Sequence, residues 1–73
     1  MNNIEQLLME STEALNEAQF EISRWCRILE ATPITDKSLI CVCVEALAAW
    51  NKKHEYCLSQ ISYLNNSTQL ALH

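Results

Sequence analysis

Three groups of residues have the types and spacing to do chemistry. Cys41 and Cys43 stand two apart in "SLICVCVEALAAW", His54 and Cys57 stand three apart, and Glu10, Glu13, Glu17 and Glu21 recur every three or four positions. The backbone decides what each can do. In a helix, residues two apart point about 200° away from each other. Cys41 and Cys43 then neither chelate one ion nor bridge each other. His54 and Cys57 share a helical face and could supply two metal ligands. The positions expected opposite them are Leu15 and Ser11, so a further His-Cys pair would have to come from a second copy. The preferred reading makes the thiols small core hydrophobes and His54 a polar group on the packing seam, with no metal or cofactor. Carboxylates along one exposed helical face cannot surround a substrate. No glycine-rich phosphate loop, HExxH or nucleophile elbow occurs, so no enzyme is expected.

Those groups depend on whether "SLICVCVEALAAW" is strand or helix, and spacing answers. Ile4, Leu8, Ser11, Leu15, Ala18, Ile22, Trp25 and Leu29 follow a 4-3-4-3-4-3-4 rhythm. Ile40, Cys43, Leu47, Trp50, His54, Cys57, Ile61 and Leu64 follow 3-4-3-4-3-4-3, straight through the ambiguous stretch. These are heptad seams, and neither shows the alternation a strand requires. With no glycine and a single proline, Pro33, the chain lacks the usual corner residues of a β-rich fold. The expected elements are a helix over about 3–31, a turn over 32–35, a helix over about 36–65 and a short tail. Asn2 or Asn3 suits the first N-cap, Thr35 the second, with Asp36 in the first turn favouring the helix dipole. Pro33 forces the first helix to end, because it drives Thr32 out of the α region.

Folding the chain at "TPIT" lays one seam on the other. Facing residue numbers then sum to 68 or 69 throughout, which sets Trp25 against Cys43, Ala18 against Trp50, and Ser11 against Cys57. Large faces small, as interdigitated layers require. Glu17 and Lys52 are expected to pair beside the seam. The fold class is therefore all-α, an antiparallel two-helix hairpin in a single domain.

One hairpin leaves apolar residues over. Leu39, Val42, Ala46 and Ala49 form a second stripe, and Val44 and Ala48 lie on yet another side. A 73-residue core rarely supplies more than roughly 3–5 kcal/mol. A homodimer, as a four-helix bundle joined through the second helix, answers both points. Its interface candidates are Leu39, Val42, Val44, Ala46, Ala49 and Tyr56. The alternative is a monomer whose tail "STQLALH" folds back as a third helix capped by Ser67. Tyr56 and Tyr63, sharing a face with Lys53 and Gln60, fit either a dimer edge or a partner site.

The net charge is −4, which opposes binding to nucleic-acid phosphates and suits a basic protein partner. The partner-binding candidates are Glu10, Glu13, Glu17 and Glu21 with Phe20 beside them; Phe20 equally suits the dimer contact. The longest apolar run stops at Glu45, far short of about 20 residues, so no membrane span is expected. "MNNIEQLLME" has no basic stretch or apolar core of a signal peptide. Four cysteines then point to a reducing cytoplasm.

"MNNIEQLLMESTEALNEAQFEISRW" and "CVCVEALAAWNKKHEYCLSQI" give the chain its likeness to a known group. It resembles the small all-helical proteins encoded in the exo–xis region of lambdoid bacteriophages. The resemblance implies an early phage protein in the host cytoplasm that modulates host cell-cycle behaviour and the choice between lysis and lysogeny. It brings no catalytic or binding residues. The expected function is a non-enzymatic regulator that binds a host or viral protein. The alternatives are an acidic charge mimic blocking a nucleic-acid-binding defence protein, and a purely structural oligomerisation module.

Overall fold

In the computed structural model, which describes the backbone of residues 3–72 and the side chains of 3–66, two helices pack against each other with no strand among the described residues. α1 spans Asn3–Ala31 and α2 spans Lys37–Leu72. The 36 residues of α2, at about 1.5 Å each, account for most of the 58 Å long axis; the other two extents are 16 and 13 Å.

The turn works without glycine because no described residue takes a positive φ. At the end of α1 the Thr32 hydroxyl donates to the Ile28 carbonyl (2.6 Å) and the Thr32 amide to the Leu29 carbonyl (3.1 Å). Two carbonyls that would lack helical partners are thereby satisfied. Pro33 then blocks continuation, and the Asp36 amide closes a tight turn on the Pro33 carbonyl (3.0 Å). The cap of α2 is Asp36, not Thr35. Its Oδ1 accepts from the Leu39 amide at 3.2 Å, and its carbonyl accepts from the Ile40 amide at 3.1 Å. That is an N-cap in both side chain and backbone. At the other end, Asn2 lies outside the described residues, and Asn3 is already in α1.

α2 does not stop near 65. It passes Ser67 without a break and reaches Leu72, so no third helix folds back. No glycine or proline follows Pro33 to end it earlier. Being longer than α1, α2 overhangs it at the end away from the turn.

The core is the predicted seam. Ala18, Cys43, Cys57 and Leu64 are buried, and the other twelve seam positions are half-buried. Ala18 and Cys43 are fully enclosed, as small residues on a close-packed seam are. His54 Nε2 and Gln19 Nε2 approach to 3.5 Å, which places His54 within one helical turn of its expected partner, Leu15. The seam tightens mainly on small side chains, and no buried polar side-chain atom lacks a partner among the described residues.

The hairpin is far from spherical. Its radius of gyration is 16.7 Å, against about 11 Å for a compact chain of this length. Its accessible surface is 5713 Å², against about 4,600 Å² for a typical folded monomer of its mass. The two helices have used one face each, and α2 remains apolar on others.

Candidate functional site

α1 presents the acidic stripe because the seam claims its other side. Glu10, Glu13 and Glu17 stand exposed, each on the outside of a helix whose inner face is Leu8, Ser11, Leu15 and Ala18. Gln6 Nε2 donates to Glu10 Oε1 at 3.3 Å, a surface bond between successive turns. Glu21 differs. Its side chain is 18% exposed, and Arg24 Nη1 reaches its two carboxylate oxygens at 3.3 and 3.4 Å. A partner cation would have to displace Arg24 to use it. Among the described residues the ion pair falls on Glu21, which closes the stripe, and not on the first three carboxylates.

Glu17 and Lys52 make no ion pair; among the described residues the pair is Arg24–Glu21. The reason is rotational. Both Glu17 and Lys52 lie well round the outside of their helices, so their side chains diverge. An exposed pair there would have added only about 0–1 kcal/mol.

Phe20 is 67% exposed and does not sit among carboxylates alone. It borders a shallow depression shared with Ser23, Arg24, Arg27 and Ile28. Sequence reasoning missed Arg24 and Arg27, although the spacing 20-24-27 puts all three on one helical face. The outer surface of α1 is therefore two-part, carboxylates towards its start and an aromatic ring flanked by two guanidiniums towards its end. Arg24 also stacks beside the adjacent Trp25 ring, 5.4 Å from its centroid. A second shallow depression lies at the acidic end, lined by Asn3, Gln6, Leu7 and Glu10.

The chain matches no protein-family model, and no curated protein or solved structure is significantly similar to it.

The geometry of the chemical groups is then the remaining guide. All four cysteines are free thiols. Cys41 faces solvent while Cys43 is buried, the divergence that two helical positions demand. Cys57 is 4% exposed and next to it His54 is half-buried, with Gln19 as its neighbour across the seam. In the tautomer with its proton on Nδ1, His54 Nε2 accepts from the Gln19 amide at the long limit of a hydrogen bond. Among the described residues, no three His, Cys, Asp or Glu side chains converge as a metal site would require.

The six positions proposed for a dimer contact divide between two sides of α2. Leu39 and Ala46 are half-buried at the edge of the seam, with Val42, Ala49 and Tyr56 beside them in the open; Val42 is 49% exposed and Tyr56 63%. Gln60 Nε2 donates to the Tyr56 hydroxyl at 3.0 Å, which holds the phenol along the helix. Val44 lies on the opposite flank with Leu58, about 160° round the helix from Val42, and does not join this row. Lys53 lays its ammonium 5.1 Å from the Trp50 ring centroid, screening that ring from solvent. No helix among the described residues is long and apolar enough to cross a membrane.

Proposed function

We propose that this protein is a homodimeric, non-enzymatic regulator that acts by binding another protein. The observation that carries the reading is the outer face of α1. It holds three exposed carboxylates, Glu10, Glu13 and Glu17, running into an exposed Phe20. An aromatic ring beside unpaired charge is a common anchor arrangement, with the ring supplying desolvated area and the charges supplying orientation and on-rate. The fitting partner offers basic residues to the start of α1 and an apolar contact to its end. The resemblance to exo–xis proteins of lambdoid phages supports a setting in the cytoplasm of a bacterial host, where the target is a host or viral protein controlling development or the cell cycle.

The carboxylate row also favours a second reading, imitation of nucleic-acid charge against a defence protein. Affinity capture from a bacterial host lysate separates these. Wild-type protein should retain a specific partner that the Glu13→Lys/Glu17→Lys variant loses, with helix content and self-association unchanged. Retention by the variant would remove the acidic face from the function. Displacement of the partner by added DNA, with a steep fall in binding as salt rises, would favour charge imitation.

A further inference from the structure

α2 carries a second heptad row. Leu39, Val42, Ala46, Ala49, Tyr56 and Tyr63 keep the 3-4 rhythm of the seam, with Lys53 and Gln60 in the two polar places. The row is displaced from the seam by about 100° around the helix, close to the right angle at which a third helix meets a packed pair in a four-helix bundle. Little of the described chain covers it: Val42, Tyr56 and Tyr63 are 49%, 63% and 69% exposed, and Ala49 is exposed as well.

We propose that this row is closed by the same row of a second copy, packed antiparallel, with the two-fold axis at the Ala46–Ala49 turn. The proposal rests on the reading that the hairpins pair through α2, and adds the register at which they do so.

Three observations fix it. The first is area. The hairpin exposes about 1,100 Å² more than a compact monomer of its mass, and a stable interface takes about 800 Å² from each partner. The second is size. With the axis at Ala46–Ala49 the smallest residues of the row meet at the crossing, where two backbones come closest. Leu39 then lies over the partner's Tyr56, and Val42 over the aliphatic stem of the partner's Lys53.

The third is charge, and it discriminates among registers. Glu45 and Lys52 are both exposed on the row bordering the contact. At the proposed register each Glu45 stands opposite the partner's Lys52, twice by symmetry. A slip of one heptad in one direction sets Glu45 against Glu45; the other direction sets Lys52 against Lys52. A parallel pair would bring Lys53 against Lys53 inside the row. The corresponding row of α1 carries Glu10, Glu17, Glu21 and Arg24, so it offers a second copy no continuous apolar face.

Sedimentation equilibrium on the full chain tests this with Glu45→Lys, Lys52→Glu and the double exchange. Both sites are exposed, so the hairpin should fold in every variant, which circular dichroism checks. Wild type should sediment at twice the 8.4 kDa chain mass. Each single change should weaken association at least roughly tenfold, since both pairs turn repulsive. The double exchange should restore it, because opposite charges then face each other again at both pairs, with their signs reversed. A monomeric wild type would overturn the proposal together with dimerisation itself. A dimer indifferent to both single changes, or one that the double exchange fails to rescue, would overturn the register and leave dimerisation standing.

Discussion

α1 and α2 share one seam and differ on their backs. Behind its seam α1 carries Glu10, Glu13, Glu17, Arg24 and Arg27, with Leu7, Met9 and Phe20 as exposed apolar side chains among them. Behind its own, α2 carries a near-continuous apolar row with Glu45 and Lys52 along its border. Identical inner rhythms make the two helices equivalent for folding. The proposed function assigns the unlike outer surfaces separate tasks: charge to select a partner that is not itself, and an apolar row with one complementary charge pair to receive a second copy. Under that proposal a chain of 73 residues separates fold, assembly and recognition onto three strips around two helices.

The comparison is broken most directly at the shared seam. Ala18 is fully enclosed, whereas Ala49 is exposed on the back of α2. Ala18→Leu should cost about 1–3 kcal/mol from overpacking, a large part of what so small a core supplies. Thermal melts followed by circular dichroism should show a drop of roughly 5–20 °C, the same at every protein concentration. Ala49→Leu should leave the hairpin itself nearly unchanged. Equal losses from the two substitutions would mean that seam and back are not distinct in packing.

The next largest effect lies on the back of α2. Ala49 is exposed in the hairpin, so Ala49→Glu should change the folding of one chain by less than about 0.5 kcal/mol. In the dimer it desolvates two carboxylates, which should weaken association on the order of 100-fold. Wild-type melting temperature should therefore rise with concentration, and that of the variant should not. A concentration-independent wild type would leave α2 with no more assembly function than α1.

How much of this could be read in the sequence follows from the same contrast. The seam was legible because sixteen positions repeat one rhythm, and the burial of Ala18, Cys43, Cys57 and Leu64 falls on it. Local choices between near-equal residues were not. Thr35 and Asp36 are both good caps and adjacent; the turn decides, because closing it on the Pro33 carbonyl puts Asp36 at the helix entrance. The end of α2 was misread because Asn65, Asn66 and Ser67 look like a stop, yet none forbids a helix as proline does. Side-chain pairing was the least legible. Glu17 and Lys52 are near in height but diverge in angle, while Arg24 turns back within its own helix to Glu21. The Phe20–Arg24–Arg27 face was missed because charge counted over the whole chain hides two guanidiniums beside one aromatic ring on an acidic helix.

That pair of guanidiniums supplies the smallest and most specific test. Arg24 is 54% exposed and holds Glu21 at 3.3 Å. As a surface pair it adds about 0–1 kcal/mol, so Arg24→Gln should barely move the melting temperature. What changes is the charge pattern: Glu21 is released, and the carboxylate row lengthens towards Phe20. If the acidic stripe recognises a basic partner, capture should strengthen by a few-fold in Arg24→Gln and lose that gain when Glu21→Gln is added. If instead the partner carries acid against Arg24 and Arg27, the same variant should weaken capture, and Arg27→Gln should weaken it further. The sign of one small change thus decides which end of α1 orients the partner, while α2, far round the hairpin, should associate as before.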